Sequence, residues 1–127
     1  MIGISIVIVN YKSWYHLSKC LDSILNQKNV KTEIIVVDNN SNDNKINEFK
    51  AKYISVKWIV NSENLGFSRA CNIGANNIEH DWILFLNPDT IIPNKCFSLL
   101  MNKANKINNT IFSIKQLNEK NKDSYAY

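Results

Sequence analysis

Short apolar runs alternate with amphipathic segments along most of the chain. Four of the runs are rich in β-branched residues and are almost continuously apolar. That pattern is typical of strands that are buried on both faces of a parallel sheet. The predicted strands cover residues 4–9, 33–37, 56–60 and 82–86.

Helical spacing of apolar residues fills the gaps between these strands. The clearest pattern predicts a helix over residues 14–27 and comprises Leu17, Cys20, Leu21, Ile24 and Leu25. Further helices are predicted over residues 43–53, 67–78 and 94–104. A fifth strand is predicted within residues 111–117, whereas the tail 118–127 has no clear periodicity.

The alternation of strands and helices predicts an α/β fold with a mainly parallel sheet. We interpret residues 1–117 as one domain and residues 118–127 as a polar tail. The chain stops where another strand begins, so the fold is expected to be truncated, with one side of the sheet lacking its neighbours. An uncovered sheet face could lead to self-association.

Composition narrows the choice of protein class. The 127 residues are 45% hydrophobic, which suits one compact domain. The net charge of +4 comes from scattered lysines, which favours a solvated surface over a nucleic-acid patch. No apolar run approaches the roughly 20 residues that span a bilayer. The odd set of widely spaced cysteines, without a CxxC pair, predicts buried, reduced thiols in a cytoplasmic protein; they are Cys20, Cys71 and Cys96.

Polar clusters follow all four main predicted strands. In open parallel sheets, ligands bind beyond the carboxyl ends of the strands, so these clusters predict one common site. The clusters are Asn10-Tyr11, Asp38-Asn39-Asn40-Ser41, the stretch from Asn61 to Gly66 that leads to Arg69, and Asn87-Pro88-Asp89-Thr90.

Two common phosphate-binding motifs are missing from the sequence. There is no GxxxxGK[ST] and no GxGxxG, and Gly3 lies before the first strand rather than in its β–α turn. A P-loop and a dinucleotide-binding fold are therefore improbable. A metal ion together with a cationic side chain is the simplest remaining way to hold a phosphate.

Four segments of the chain resemble the signature segments of the family 2 glycosyltransferases with the GT-A (nucleotide-diphospho-sugar transferase) fold. These segments are SIVIVNY, IIVVDNNSND, NLGFSRACNIGA and WILFLNPDT, and their order and spacing match over residues 4–104. The NPDT segment is similar to the rhamnosyltransferase-like branch. The resemblance implies inverting transfer from a nucleotide-diphospho-sugar, such as dTDP-rhamnose or a UDP-sugar. It further implies a glycan or lipid-linked acceptor in polysaccharide biosynthesis, and a cytoplasmic enzyme that could be peripheral at the inner face of the membrane.

Asp89 is the metal ligand that this resemblance implies, and Mg²⁺ or Mn²⁺ is the expected cofactor. Hard cations take carboxylate and phosphate oxygens, and a metal here would neutralise the leaving diphosphate. The family usually has a second acid in this motif, where Asn87 stands. The alternative is that Asp89 is only a turn residue, because Asn-Pro-Asp-Thr is also good turn chemistry.

Nucleotide contacts are expected from the first two strand ends. By resemblance, Asp38 accepts a hydrogen bond from the base or ribose, and Asn39 belongs to the same site. Asp38, Asn39 and Ser41 also suit a helix cap or Asx-turn. Asn10, through its amide, and Tyr11, by packing on the base, are expected to line the base pocket. A plain loop at the strand end is their alternative.

Arg69 is the sole arginine and lies near the start of a predicted helix. A helix N-terminus favours phosphate, and a guanidinium adds planar donors, so a diphosphate or base contact is predicted. A surface ion pair is the alternative. Asn64 and Gly66 precede this helix, and Gly66 is expected to supply a backbone conformation closed to other residues. Gly74 is interpreted as a helix-packing position.

The chain offers no convincing general base for deprotonating an acceptor hydroxyl. In the resembling family this acid comes after the metal motif, where this chain has Glu119 and Asp123 in its polar tail. The catalytic residue is therefore left unassigned. Two alternatives to a donor-binding glycosyltransferase portion are a non-catalytic nucleotide-binding or interaction module, and a nucleotidyltransferase. The lack of a Gly-rich, Arg-bearing N-terminal loop argues against the nucleotidyltransferase.

Overall fold

The computed structural model describes residues 2–118 and 120. Four strands and four helices alternate along it, which confirms the predicted α/β order. The elements are β1 (Gly3–Asn10), α1 (Trp14–Leu25), β2 (Lys31–Asp38), α2 (Lys45–Lys52), β3 (Val56–Val60), α3 (Phe67–Ala75), β4 (Trp82–Leu86) and α4 (Cys96–Ala104).

The four strands form one parallel sheet with the order β3-β2-β1-β4. Asn10 at the end of β1 pairs with Asp38 at the end of β2, and Asp38 pairs with Val60 at the end of β3. On the other side of β1, Ile8 pairs with Leu86, the last residue of β4. All four carboxyl ends therefore meet at one edge of the sheet.

The β-branched residues of β1 and β2 are buried on both faces, as their continuous apolar pattern predicts. Residues from α1 and α4 share a buried cluster with Ile6 and Ile8 on one face of the sheet. On the opposite face, α3 packs on Val7 and Val37. Gly74 makes this close packing possible, because a β-carbon at Gly74 would collide with the Val7 side chain.

Several predicted boundaries are wrong. All four helices are shorter than predicted: α1 ends at Leu25, α2 covers only Lys45–Lys52, α3 ends at Ala75 and α4 begins at Cys96. Local backbone contacts close the ends of α1 and α3, through Asn26 N and Asn76 N, whereas a distant side chain, that of Gln27, accepts from Phe97 N at the start of α4. The predicted burial of all cysteines is also only partly right, because Cys20 is buried but Cys71 and Cys96 are half-buried. All three are free thiols, as predicted.

The predicted fifth strand does not form in the described part of the chain, where residues 107–116 contain no helix or strand and Leu117 makes only an isolated β-bridge. Phe112 packs on Trp82 instead, with 5.6 Å between ring centroids. Its apolar side chain is thus partly covered although the segment around it forms no strand. β4 is the last strand on its side of the four-stranded sheet, next to β1. An open groove of about 1030 Å³ lies beside β4 and is lined partly by Leu84, Leu100 and Ile114.

The described helices contain no segment that is long and apolar enough to cross a membrane. The tail residues 119 and 121–127, including Glu119 and Asp123, lie outside the described residues.

Candidate functional site

The carboxyl edge of the sheet carries the loops that follow β1, β2, β3 and β4. Two backbone hydrogen bonds extend the sheet pairing into these loops. Asn39 N donates to Asn10 O (2.8 Å), and Asn61 N donates to Asp38 O (2.9 Å). The loops after β2 and β3 therefore leave the sheet from fixed positions.

Asp38 is the centre of a buried hydrogen-bond network at this edge. It is only 2% exposed. Its carboxylate accepts hydrogen bonds from Asn10 Nδ2 (2.9 Å), Ser41 Oγ (2.6 Å) and Ser41 N (2.9 Å). Three donors to one carboxylate compensate for burying the charge. The local side-chain contact considered as the alternative is thus present, but Asp38 bonds the backbone three residues on, the spacing of a helix cap rather than of an Asx-turn. The Asp38 side chain lies beneath the surface of the edge.

Ser41 links the Asp38 network to the loop after β1. Its hydroxyl oxygen accepts a 2.8 Å hydrogen bond from Lys12 N, and Lys12 has a left-handed backbone with φ 53°. Such a conformation is uncommon for a residue with a long side chain, so this hydrogen bond helps to hold it. The loop presents Tyr11, which is 47% exposed.

Lys12 was not selected by the sequence analysis. Its Nζ lies 5.3 Å from the centroid of the Tyr11 ring, so a positive charge accompanies the exposed aromatic ring at the end of β1. The available signal was a cation next to an aromatic residue in a strand-end loop, but neighbours in sequence do not reveal which way either side chain turns.

Asn39 joins the loop after β2 to the loop before α3. Its Oδ1 accepts from Asn61 Nδ2 and Leu65 N, both at 3.0 Å, and its Nδ2 donates to Gly66 O at 3.0 Å. Asn39 is 3% exposed. Its side chain therefore fixes the loop that leads to α3, and Asn61, which was not among the predicted site residues, is part of the same contact.

Gly66 begins α3 in a conformation that favours glycine. Its φ is 80°, and a β-carbon there would meet no heavy atom within 4 Å, so the requirement lies in the backbone. Asn64 supports the turn, because its Oδ1 accepts a 3.0 Å hydrogen bond from Gly66 N. Arg69 follows in the first turn of α3 and is exposed. The start of α3 thus presents a guanidinium beside the positive end of a helix dipole.

Asp89 lies in a tight turn immediately after β4. Thr90 N donates to Asn87 O at 3.1 Å, which closes the turn over Pro88 and Asp89. Asp89 and Asn87 are both exposed. Residues 87–90 therefore form the turn that the sequence offered as the alternative role of Asp89. The turn leaves the Asp89 carboxylate exposed to solvent.

The thiol of Cys20 lies under this turn, with Sγ 3.9 Å from Asn87 O. Burial and, to a smaller extent, the charge of Asp89 raise the pKa of Cys20 to about 12. The thiol is therefore protonated at neutral pH and is not a nucleophile.

The predicted site residues divide into a buried group and an exposed group along the same edge. The buried group consists of Asn10, Asp38 and Asn39. The exposed group consists of Tyr11, Asn64, Gly66, Arg69 and Asp89. Both groups belong to loops after parallel strands, and β2 and β4 are separated by two strand spacings, about 10 Å. The buried amides and carboxylate can shape the edge, whereas the exposed groups are free to meet a ligand.

Charged groups at this edge form no ion pair with any residue that the structure describes. Among the described residues, the ion pairs join Lys57 to Glu33 and Glu79 near the opposite edge. In the same part of the chain, no cluster of three or more His, Cys, Asp or Glu side chains could hold a metal ion. Asp89 therefore belongs to no such cluster, and a cation at Asp89 would need further ligands from neighbouring amides, a bound molecule or solvent.

Comparison with protein families gives one match over most of the chain. The family model described as Glycosyl transferase family 2 matches residues 5–125. The chain is 36% identical over 123 residues to a poly(ribitol-phosphate) beta-glucosyltransferase of Bacillus spizizenii, covering 91% of this chain and 19% of that protein. It is 31% identical over 98 residues to an uncharacterized glycosyltransferase of Haemophilus influenzae, covering 76% of this chain and 33% of that protein. The chain therefore spans a third or less of the length of these two relatives.

Solved structures with the same fold include those of S. aureus TarS. The structure of TarS 1-349 in complex with UDP-GlcNAc superposes with a TM-score of 0.75 at 18% identity, covering 93% of this chain and 39% of that one. The structure of TarS 1-349 without a named ligand gives a TM-score of 0.73 at 21% identity, covering 83% and 33%. These similarities confirm the GT-A-like fold.

Proposed function

Because the chain belongs to glycosyl transferase family 2, we propose that it is the donor-binding portion of a metal-assisted, inverting glycosyltransferase. Its substrate would be a nucleotide-diphospho-sugar, held at the carboxyl edge of the sheet. The observation that carries this proposal is the convergence of four polar strand ends on one edge, with Arg69 and Asp89 both exposed there. The exposed site residues are proposed to contact the ligand. The buried ones, Asn10, Asp38 and Asn39, are proposed to fix the loops that carry the exposed residues.

The base and ribose are proposed to lie against the loops after β1 and β2. Tyr11 offers an exposed ring on which a base could stack. Asn10 and Asp38 are turned into the protein, where they fix the loops that present Tyr11. A direct contact from Asp38 would use its Oδ2, which accepts from Ser41 N, whereas Oδ1 already accepts two hydrogen bonds.

Arg69 and the start of α3 are proposed to bind the diphosphate. Gly66, Asn39 and Asn64 hold the turn at the N-terminus of this helix, which favours negative charge. The guanidinium of Arg69 adds a planar set of donors suited to phosphate oxygens. Because Arg69 has no ion-pair partner among the described residues, its charge is available for this contact.

Asp89 fits a metal ion that arrives together with the nucleotide. Mg²⁺ commonly uses one or two protein carboxylates together with substrate phosphates, and Asp89 is an exposed carboxylate in the turn after β4. Asn87 could add an amide oxygen from the same turn. When bound, the metal would neutralise negative charge on the departing diphosphate. Asp89 itself would hold the metal in place and would thereby orient the diphosphate.

The relatives favour a uridine nucleotide among the donors considered. A structure with the same fold was obtained with UDP-GlcNAc and another with UDP. The sequence resemblance to the rhamnosyltransferase-like branch instead favours dTDP-rhamnose. We therefore propose a UDP-sugar as the first donor to test and a dTDP-sugar as the second. Either sugar would pass to a glycan or lipid-linked acceptor.

Sugar transfer requires a base that deprotonates the acceptor hydroxyl and a surface that orients the acceptor. Among the described residues, the loops at the carboxyl edge carry four acids, Asp38, Asp43, Glu63 and Asp89. Asp38 is buried in hydrogen bonds, Asp43 accepts from the indole of Trp14, and Asp89 is assigned to the metal. Glu63 follows β3, at the opposite side of the sheet from β4 and Asp89. We therefore propose that the described residues bind the donor and that the acceptor side of the complete active site lies in the part of the fold that this chain does not span in its relatives. A non-catalytic nucleotide-binding module remains the alternative.

A calorimetric titration tests the proposal. UDP, dTDP and GDP are titrated into the protein with and without Mn²⁺ or Mg²⁺, beside a sugar-transfer assay with the matching nucleotide sugars. We expect metal and nucleotide to tighten each other's binding, without sugar transfer by these residues alone. A lack of binding to all three nucleotides under every condition would contradict the donor-binding function. Robust transfer would show that the chain contains the base.

A further inference from the structure

A set of polar contacts connects α1 to the segment that follows β4. Cys20, Ser23 and Gln27 are spaced three and four residues apart, so they lie on one side of α1 and its C-terminal turn. Gln27 lies just beyond the end of α1, where its backbone N bonds to Ile24 O at 3.0 Å and continues the turn. We refer to Cys20, Ser23 and Gln27 as the α1 stripe.

Ser23 holds the backbone shortly after the Asp89 turn. Its Oγ accepts a 3.0 Å hydrogen bond from Ile92 N and donates a 2.7 Å hydrogen bond to Cys20 O. Ile92 is buried, at 7% exposed, so its backbone N–H depends on this protein partner.

Gln27 holds both the backbone before α4 and the first turn of α4. Its Nε2 donates to Pro93 O at 3.0 Å and to Ile92 O at 3.4 Å, while its Oε1 accepts from Phe97 N at 3.2 Å. The residue that precedes α4, Lys95, forms no side-chain cap. Gln27 therefore supplies from α1 the acceptor that a local capping residue would otherwise provide.

Cys20 completes the stripe beneath the Asp89 turn, where its Sγ contacts Asn87 O. The three contacts cover residues 87–97, from the start of the turn to the start of α4. α1 is in turn fixed by fully buried residues, namely Leu17, Leu21 and Ile24. Contacts with the well-packed helix α1, rather than contacts within the loop itself, thus fix the position of the turn.

We propose that the α1 stripe positions the turn of residues 87–90 and thereby sets where the Asp89 carboxylate meets a metal–diphosphate ligand. This inference rests on the proposed function, because it assigns Asp89 a ligand. Ser23 and Gln27 are positioning residues: they lie beneath the turn and contact its flank rather than the ligand. Residues that orient a metal ligand from behind affect metal affinity even though they never touch the ion.

A purely structural role for the stripe makes a different prediction. If Ser23 and Gln27 only stabilised the fold, their loss would change nucleotide binding equally with and without metal. If they position Asp89, the metal-dependent part of nucleotide binding changes, because Tyr11 and Arg69 belong to other loops. The ratio of UDP affinity with Mn²⁺ to UDP affinity without Mn²⁺ therefore separates the two roles.

The experiment compares Ser23→Ala and Gln27→Ala with two control variants. Ser23→Thr keeps the hydroxyl and should restore the contact with Ile92 N. Ser18→Ala removes a hydroxyl of the same helix that bonds only to Tyr15 O of α1. We expect metal-free UDP affinity to be unchanged throughout, and the Mn²⁺-dependent gain to fall about tenfold in Ser23→Ala and Gln27→Ala. Both controls should behave like the unaltered protein.

Hydrogen exchange of the backbone amides of Thr90 and Ile92 gives a readout that needs no nucleotide. We expect faster exchange at both amides in Ser23→Ala and Gln27→Ala. An unchanged Mn²⁺-dependent gain, or an equal loss with and without Mn²⁺, would overturn the positioning role while leaving the donor site intact. If the unaltered protein bound no nucleotide, the proposed function would fail by itself. Unchanged exchange in the variants would then overturn the positioning role separately.

Discussion

The side-chain amide of Asn10 donates a 2.9 Å hydrogen bond to the carboxylate of Asp38, the residue directly opposite it on the neighbouring strand. Both side chains are buried. The pair therefore locks the ends of β1 and β2 together and brings a charged group into the floor of the candidate site. A buried carboxylate is tolerated there because Ser41 supplies two further donors.

Asp38→Asn should destabilise the protein by about 2 kcal/mol, since an amide has one acceptor oxygen for three donors and adds donors of its own. Urea unfolding followed by circular dichroism measures the change. Asp81→Asn, an exposed position before β4, serves as the matched control and should stay within about 0.5 kcal/mol of the unaltered protein. Equal stability of Asp38→Asn and Asp81→Asn would mean that the buried network contributes little.

Asp89→Asn should remove most of the metal-dependent gain in UDP affinity, because the amide keeps the shape but loses the charge that holds the cation. The expected loss is about tenfold or more, ~1.4 kcal/mol, with UDP affinity in the absence of metal unchanged. Calorimetry with and without Mn²⁺ measures it. Asp81→Asn, at the other end of β4, controls for the change in net charge. An undiminished Mn²⁺-dependent gain in Asp89→Asn would mean that Asp89 is only a turn residue and does not bind the metal.

Substitutions of Arg69 should weaken UDP binding in a graded manner. Arg69→Lys keeps the charge but loses the planar donors, whereas Arg69→Ala loses both and should cost about 1.5–3 kcal/mol of binding free energy. Lys50→Ala on α2 is the control for removing an exposed cation. Calorimetric titration at two salt concentrations checks the result, since the charge contribution weakens as salt increases. Unchanged UDP affinity in both Arg69 variants would mean that Arg69 is a surface residue that takes no part in nucleotide binding.

Glu33 should make stability depend on pH under acidic conditions. Burial tends to raise the pKa of Glu33, but hydrogen bonds from Ser5 and Glu79 N and the nearby Lys57 ammonium hold that pKa below its ordinary value. The stability it contributes is therefore complete above the unfolded pKa of about 4.3 and is lost as pH falls through the lower folded pKa.

Glu33→Gln tests this linkage by urea unfolding between pH 7 and pH 3. The variant should be less stable than the unaltered protein at neutral pH, and the difference should shrink as Glu33 becomes protonated below about pH 4. A difference that is constant across the pH range would show that the Glu33 charge contributes nothing through ionisation.

The edge strand β4 is expected to promote self-association, since α3 does not cover its outer part. Phe85 in β4 is 47% exposed. Phe85→Lys should lower the apparent mass at high protein concentration, because a charge disfavours pairing along the edge. Ile54→Lys, at an apolar residue that is 88% exposed between α2 and β3, is the control. Light scattering checks both, and a stable monomer at all concentrations would contradict the expectation.

Much of the architecture could be predicted from the sequence because the evidence for it is local. Continuous β-branched runs indicated four strands, and all four occur in one parallel sheet. Because the strands are parallel, all their carboxyl ends lie at the same edge, so Asp38 and Asp89 share an edge, as predicted. The conformational need for Gly66 and the packing role of Gly74 were also predicted, and both are confirmed by backbone geometry and close contact.

Only the tertiary structure decided which site residues are buried and which are exposed. Asn10 and Asp38 are 28 positions apart, and Ser23 and Ile92 are 69 apart, so nothing near either residue reveals its partner. The same is true of the start of α4, whose cap comes from Gln27 just beyond α1, and of the predicted fifth strand, which does not form within the described residues. A strand or cap exists only when its hydrogen-bond partners arrive, and their arrival depends on how distant segments pack. Local patterns therefore determined the elements and the edge, whereas long-range hydrogen bonds determined the floor of the site and the position of the Asp89 turn.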